Sequence, residues 1–181
     1  MELRPYRPAD FDTVRTWVAD ERSHMLWCAR RFPYPLTREG FEEQLTALSR
    51  DSGDRFFTAV QEDGAPVGFF GLTVRGETRT GWLKFVIVAP ACRGRGIGRE
   101  MVGLAVRTAL ETPGVDSVRL SVFAENPAAL RCYEAAGFAA EDRDDPGFRY
   151  GDECWARRFM RYAPEAGASG AGNANTRSDE P

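Results

Sequence analysis

The stretch from Arg93 to Gly98, with the sequence RGRGIG, constrains this chain more than any other feature of its sequence. It lies between a dense apolar run, Trp82 to Val88, and a segment from Arg99 onward whose apolar residues recur at helical spacing. The first backbone N–H groups of a helix have no internal partner and sit at its positive end. Glycine lets such a backbone approach a ligand closely, because it has no Cβ atom. The pattern therefore predicts a site for a phosphorylated cofactor.

Length and composition favour one ordinary globular domain. The 181 residues are 43% hydrophobic and 28% charged, which is enough for a substantial core. The net charge of −3 lacks the basic surplus of a general nucleic-acid binder, so we expect no nucleic-acid partner. No apolar run approaches the roughly 20 residues of a membrane helix, and the first residues do not resemble a signal peptide. We therefore expect a cytoplasmic protein without a membrane partner.

The cysteines and the single histidine predict no metal site. Cys28, Cys92, Cys132 and Cys154 form no C-x-x-C pair, and His24 is the only histidine available beside them. We expect reduced thiols that serve mainly in packing. We place His24 at a surface or loop position rather than in a catalytic role.

Hydrophobic periodicity and turn residues predict an alternation of strands and helices. We expect helices after Asp10, from Thr37, from about Arg99 to Pro113, and from Asn126 to Gly137, with an irregular segment over 21–35. The expected strands cover 3–6, 56–61, 66–74, 82–88, 118–123, 138–140 and 153–162, the last two being the closing strands. Beyond Pro164 the composition changes to Ala, Gly, Ser and Asn without periodicity, so we expect a domain over 1–163 and a disordered tail over 164–181.

Two motifs together resemble the GNAT superfamily of N-acetyltransferases. The first runs from Val88 to Gly98 as V-x-P-x-x-R-x-x-G-x-G, and the second runs from Asn126 to Phe138 as N-P-A-A-L-R-C-Y-E-A-A-G-F. The resemblance implies an α/β (α+β) fold with a mixed, mostly antiparallel twisted sheet of six to seven strands and about four helices. It also implies an enzyme that moves an acetyl group from acetyl-CoA to a primary amine, by direct attack in a ternary complex and without a metal.

The resemblance further implies roles for individual residues. The glycine turn would hold the pyrophosphate of acetyl-CoA, the strand before it would pair with the pantetheine arm, and Asn126 would contact that arm. The Val88 amide would stabilise the thioester oxygen, and Tyr133 would face the sulfur as a general acid. The residues implied to bind the cofactor are Val86, Ile87, Val88, Arg93, Gly94, Arg95, Gly96, Ile97, Gly98, Arg99, Asn126 and Tyr133.

These residue types suit acyl transfer. An attacked thioester gathers negative charge on its oxygen, and one fixed N–H donor lowers such a barrier by about 3 kcal/mol. A phenol with an ordinary pKa near 10 can protonate the leaving thiolate. The general base is not evident, because the expected central strands carry no glutamate. Glu77, Asp20, Glu21 and Glu153 are candidates by loop position, and a water chain is an equal alternative.

Other interpretations remain open. The chain could be a non-catalytic acyl-CoA-binding or regulatory domain, or a nucleotide-binding module, although the glycine turn lacks the Lys-Ser/Thr ending of a P-loop. Asn126 could serve only as a helix cap, and Tyr133 could serve only in packing. Trp17, Trp27, Phe32 and Tyr34 could line an acceptor pocket or cover the core. The amine could be a protein N-terminus, an aminoglycoside, a polyamine or a small metabolite, and the protein a monomer or a homodimer.

Overall fold

The computed structural model describes residues 1–75 and 77–164. The α-helices in this part are α1 (Phe11–Val14), α2 (Glu21–Cys28), α3 (Arg38–Ser52), α4 (Ile97–Leu110) and α5 (Pro127–Ala135). The strands are β1 (Glu2–Pro5), β2 (Arg55–Val60), β3 (Pro66–Arg75), β4 (Thr80–Val88), β5 (Ser117–Phe123), β6 (Ala139–Glu141), β7 (Phe148–Tyr150), β8 (Glu153–Trp155) and β9 (Arg157–Tyr162). The tail expected over 164–181 falls outside the described residues from 165 onward. None of the described helices is long and apolar enough to cross a bilayer.

Seven strands form one sheet in the order β1-β2-β3-β4-β5-β9-β6. Every neighbouring pair is antiparallel except β4 and β5, which run parallel. The long α4 connects these two strands, as a parallel crossover requires. The predicted mixed, mostly antiparallel α/β sheet is confirmed, and the described residues hold five α-helices where about four were expected.

Helices cover both faces of the sheet. Leu83, Val86 and Val88 of β4 join the core cluster that contains the apolar face of α4. Phe85 and Ile87 belong to the cluster formed with the N-terminal helices α1 to α3. Because successive side chains of a strand point to opposite faces, α4 and the N-terminal helices lie on opposite sides of β4.

The expectation of an irregular segment over 21–35 was wrong at its start. α2 occupies Glu21–Cys28, and the Asp20 carboxylate accepts a hydrogen bond from the Ser23 N–H at 2.7 Å, which caps the helix. His24 is also not at the surface, since it is 0% exposed within this helix. Its ring packs against Trp27 and Tyr34. Tertiary burial, which local patterning does not reveal, accounts for both differences.

The closing segment differs as well. The single strand expected over 153–162 is instead divided into β8 and β9, and the unexpected β7 pairs with β8 as a separate two-stranded sheet. Phe123 at the end of β5, Met25 of α2 and Trp155 of β8 form a third small cluster of buried residues. This cluster joins α2 and the β7–β8 pair to the end of β5.

A buried ion pair links β4 to the residue before β2. The Asp54 side chain is 0% exposed and accepts hydrogen bonds from Lys84 Nζ at 2.9 and 3.0 Å. The Thr73 hydroxyl of β3 also donates to this carboxylate. The single lysine of the chain therefore neutralises a carboxylate in the core.

Candidate active site

The glycine turn has the geometry of an anion-binding cradle. Gly94 and Gly96 take positive φ values of +71° and +81°, and Gly96 is the N-cap of α4 without a side-chain cap. Among the described residues, no backbone or side-chain acceptor receives the N–H groups of residues 94–99. A row of free donors at the positive end of a helix attracts a phosphate.

The space beside this turn is open. An ideal Cβ atom placed on Gly94 or Gly96 would meet nothing within 4 Å. The side of the turn that the missing Cβ atoms leave open is therefore available to a ligand. Arg95 and Arg99 are exposed beside the turn, where they can add positive charge.

Arg93 has a different arrangement from the other arginines of the turn. Its Nε donates to the Val88 carbonyl at 3.0 Å, and one terminal nitrogen donates to the Trp17 carbonyl at 3.2 Å. The guanidinium thus fastens the turn to the end of β4 and to the N-terminal region. Its role in the structure is to position the cradle.

The sheet opens immediately next to the cradle. The pairing of β4 with β5 ends at Trp82 and Arg119, although β4 continues to Val88 and β5 continues to Phe123. The two strands therefore diverge toward their C-terminal ends, and the second half of β4 faces a gap instead of a neighbouring strand.

A β-bulge in β4 marks the beginning of this open half. Phe85 has a φ of +52°, and the register with β3 shifts between Phe69 and Gly71. The indole N–H of Trp27 donates to the Phe85 carbonyl at 2.8 Å. α2 therefore holds the bulge from the face opposite α4.

The Val88 amide points into the gap. The Ala89 N–H donates to the Val67 carbonyl at 2.9 Å, so Ala89 directs its polar backbone groups toward β3. Adjacent residues of a strand direct these groups to opposite sides. Val88 consequently presents its N–H on the side where β5 has diverged, and its carbonyl on that side is held by Arg93.

Gly98 is the point where the strand end, the helix start and α5 meet. An ideal Cβ atom on Gly98 would lie 3.1 Å from Cys132 Sγ and 3.6 Å from Val88 Cγ2. The two sequence motifs are thereby brought together, because Tyr133 follows Cys132 on α5. Glycine is needed at this position for close packing between elements.

Tyr133 is 7% exposed and packs in the cluster under α4, with its ring 6.0 Å from that of Phe138. Burial raises the pKa of its hydroxyl well above the usual range, with a smaller contribution from Cys132. The hydroxyl has no partner among the described residues, yet it is not one of the fully buried unpartnered atoms. A neutral phenol that keeps its proton and has no internal acceptor is suited to donate to a ligand.

Asn126 caps α5 in the structure. Its Oδ1 accepts the Ala129 N–H at 3.1 Å, and its own N–H donates to the Phe123 carbonyl at 2.9 Å. The cap fixes the side chain at the C-terminal end of β5, at the edge of the gap. Its amide nitrogen has no partner among the described residues.

The N-terminal aromatic residues mainly cover the core. Trp17 and Phe32 are buried, and Trp27 stacks on Phe32 at a centroid distance of 5.2 Å. Tyr34, by contrast, is 45% exposed. Of the two alternatives for these residues, the structure favours core packing for Trp17 and Phe32, while Trp27 is half-buried and Tyr34 is the most exposed of the four.

Three of the four carboxylates considered as general bases, Asp20, Glu153 and Glu77, lie in unsuitable surroundings. Asp20 caps α2, and this hydrogen bond from Ser23 lowers its pKa. Glu153 accepts two hydrogen bonds from Arg22 at 2.6 and 3.0 Å, which lower its pKa to about 2. Glu77 lies before the N-terminal end of β4, at the end of the strand opposite the cradle. Such weak or distant bases do not deprotonate an amine.

Glu125 was not among the residues that we expected at the site. This residue lies between β5 and the α5 cap, and its Oε2 is fully buried without a hydrogen-bond partner. The carboxylate is also close enough to Arg22 to raise the pKa of that guanidinium, although Glu153 is the main cause. Its position directly before Asn126 in the second motif was the available signal.

Within the described residues, no group of three His, Cys, Asp or Glu side chains is placed to hold a metal ion. The four cysteines are free thiols. The site therefore consists of backbone donors, one phenol and side chains at the ends of β4 and β5.

Comparison with known proteins gives a consistent result. The model of the acetyltransferase (GNAT) family matches residues 14–138. A mycothiol acetyltransferase from Streptomyces avermitilis is 32% identical over 112 residues, which are 56% of this chain and 36% of that protein. A streptothricin acetyltransferase from Streptomyces lavendulae is 33% identical over 93 residues, covering 51% of this chain and 49% of that one. This chain thus matches less than half the length of either relative.

The fold also matches a solved structure. A spermidine N-acetyltransferase from Vibrio cholerae, crystallised with CoA and spermine, superposes with a TM-score of 0.75 at 20% identity. The superposition covers 90% of this chain and 94% of that chain. At this identity the likeness concerns the arrangement of helices and strands.

Proposed function

Since the chain belongs to the acetyltransferase (GNAT) family, we propose that it transfers an acetyl group from acetyl-CoA to the amine of a second substrate in a ternary complex. Acetyl-CoA, when bound, supplies a thioester whose carbonyl carbon is open to attack by the amine nitrogen. The remaining steps depend on what the residues at the ends of β4 and β5 hold in place.

One observation supports this proposal above the others. The unoccupied N–H donors of residues 94–99 and the open half of β4 lie side by side and meet at Gly98. The cradle would hold the diphosphate, and the free edge of Val86 to Val88 would pair with the amides of the pantetheine arm. A phosphate site alone would not explain why the sheet also opens at this place.

Two groups are placed to lower the barrier of acyl transfer. The Val88 N–H would donate to the thioester oxygen as its charge grows, a contribution of about 3 kcal/mol in comparable sites. The Tyr133 hydroxyl would give its proton to the sulfur as the carbon–sulfur bond breaks. The proton lost by the attacking nitrogen would pass through water and restore the phenol of Tyr133. The raised pKa of Tyr133 keeps this proton available over the neutral range.

The acceptor belongs to the class of small amines. The relatives named above act, by their names, on mycothiol and streptothricin, and the structural neighbour acts on spermidine. We propose a small cationic amine for this chain, since Tyr34 contacts His24 of α2 and keeps an exposed aromatic face that can attract a cation. A small-molecule panel of polyamines, amino sugars and amino acids represents this class.

The test combines acetyl-CoA with that panel and follows release of the free thiol with a reporting dye. We expect turnover with at least one amine. Tyr133→Phe should lower kcat about 10²- to 10⁴-fold, the usual contribution of general acid help, while acetyl-CoA binding measured by calorimetry stays unchanged.

Tyr162→Phe is the matched control. Tyr162 pairs with Val118 near the opposite end of β5, so loss of its hydroxyl should leave kcat unaltered. Equal rates for Tyr133→Phe and the wild type would remove Tyr133 from the acid role. Acetyl-CoA binding without thiol release for any amine would favour the alternative of a non-catalytic acyl-CoA-binding domain.

A further inference from the structure

We propose that the Glu125 carboxylate binds the positively charged amine of the acceptor, which makes it the residue that selects a cationic substrate. This inference rests on the proposed acetyl transfer and adds to it a binding residue on the β5 side of the gap. It follows from three observations: the position of Glu125, the lack of a hydrogen-bond partner for its Oε2, and the pairing of the nearby arginines with other carboxylates.

Glu125 is fixed at the end of the diverging strand. The Ala124 N–H donates to the Ala156 carbonyl at 2.9 Å, and the Asn126 N–H donates to the Phe123 carbonyl at 2.9 Å. These two bonds hold the backbone on either side of Glu125. The residue therefore lies at the C-terminal end of β5, the same end at which β4 presents Val88.

One oxygen of the Glu125 carboxylate is buried without a hydrogen-bond partner, although a charged group is costly to bury. Oε2 has less than 1 Å² of accessible surface and accepts no hydrogen bond from any described residue. Leaving a buried charged acceptor unsatisfied costs stability, so such an atom in a folded protein requires an explanation. A cationic ligand that completes the hydrogen bonds of the carboxylate provides one.

The neighbouring cations are already engaged elsewhere. Arg22 forms two hydrogen bonds with Glu153 and lies over the ring of Trp155 at 4.9 Å. Arg157 pairs with Asp145 at 3.5 Å. Neither guanidinium forms a hydrogen bond with Glu125, so its negative charge is not neutralised by a direct contact within the described residues.

The placement of α2 puts this charge at the mouth of the gap. Near its C-terminal end α2 contacts β4, where Trp27 binds the Phe85 carbonyl. Earlier in the helix, Met25 packs with Phe123 at the end of β5. α2 thus contacts both diverging strands, and its Arg22 lies close enough to Glu125 that, after Glu153, this carboxylate also raises the pKa of the guanidinium. An amine that enters on the side of α2 would meet Glu125 before the thioester.

The test compares Glu125→Gln with the control Glu134→Gln. Glutamine keeps the shape of the side chain and removes its charge, and Glu134 is an exposed carboxylate of α5 next to Tyr133. The probe acceptors are n-butylamine, 1,4-diaminobutane and the best amine of the panel. We expect Glu125→Gln to raise the KM for the amine about 10- to 100-fold, the loss of one charge-assisted hydrogen bond, with unchanged affinity for acetyl-CoA and at most a small change in kcat.

A second variant and a stability measurement separate binding from folding. Glu125→Asp keeps the charge and should recover part of the loss in KM. The melting temperature of Glu125→Gln without ligands should equal or exceed that of the wild type, because the fully buried Oε2 no longer carries negative charge without a hydrogen-bond partner. A residue that only maintained the fold would instead lower it.

The outcomes distinguish the two levels of the proposal. If the wild type does not bind acetyl-CoA, the proposed function itself fails. If the wild type binds acetyl-CoA and Glu125→Gln keeps a normal KM for the amine, or shows the same KM as Glu134→Gln, the role of Glu125 is overturned. Wild-type protein that binds acetyl-CoA and acetylates no amine overturns the proposed acetyl transfer, and the role of Glu125 falls with it.

Discussion

Substitution of Gly96 by alanine tests the cradle most directly. At a φ of +81° an added Cβ strains the backbone, at a cost of about 1–2 kcal/mol. The Cβ would meet no atom within 4 Å, so the substitution causes no steric clash in addition to this strain. For a domain of this length, the corresponding fall in melting temperature is about 2–8 °C. The folded protein should therefore survive the change.

Gly96→Ala should weaken CoA binding more than it lowers the free energy of unfolding. The Cβ would occupy the space in which we place the diphosphate, and it would displace at least one of the charge-assisted hydrogen bonds there. Loss of one such bond reduces affinity about 10- to 150-fold. Titration calorimetry with CoA, together with thermal unfolding monitored by circular dichroism, measures both effects in the same preparations.

Gly64 offers a close control, because it has the same φ of +81° and open space around its hypothetical Cβ. It lies in the turn between β2 and β3, which is separate from the glycine cradle, although β3 pairs with the end of β4 through Gly68 and Val88. Gly64→Ala should reproduce the fall in melting temperature while CoA affinity stays normal. If Gly96→Ala and Gly64→Ala bind CoA equally well, the assignment of the diphosphate to this turn is refuted.

Two further predictions concern the core. Lys84→Met should lower the free energy of unfolding by about 3 kcal/mol, because it leaves the Asp54 carboxylate buried and unpaired. The double variant Lys84→Met with Asp54→Asn should recover part of this free energy in urea unfolding. Equal stability of the single and the double variant would contradict the reasoning. Burial lowers the pKa of His24 in the folded state, so the unfolded chain takes up the proton first and stability should fall as the pH drops below about 6.5. His24→Phe should show a weaker loss of urea midpoint between pH 7.5 and pH 5.5, and identical pH slopes would argue against a neutral buried histidine.

The elements that depend on local chemistry were predictable from the sequence. Thr37 caps α3, Asn126 caps α5, and the glycine turn begins α4, each through residues adjacent to the helix that they start. The long apolar run predicted β4 for the same reason. Short-range hydrogen bonds and periodicity carry this information without reference to the rest of the chain.

Other features depend on contacts between distant residues. α2 was missed because the apolar residues among its eight positions show only a weak helical periodicity. Its packing on β4 and β5 stabilises it. The short β7 has three residues and is defined by its pairing with β8. Glu125 carries no local signal for burial, because its surroundings come from α2 and the final strands.

The early end of the pairing between β4 and β5 has a consequence for the sequence of events in catalysis. Donor and acceptor would approach from opposite sides of the sheet and meet only at the reacting atoms. Neither molecule would have to leave before the other could bind, and the acetylated amine and the free thiol would depart by separate routes. A protein built this way has no need to store the acyl group on one of its own side chains, since both partners can be present at once.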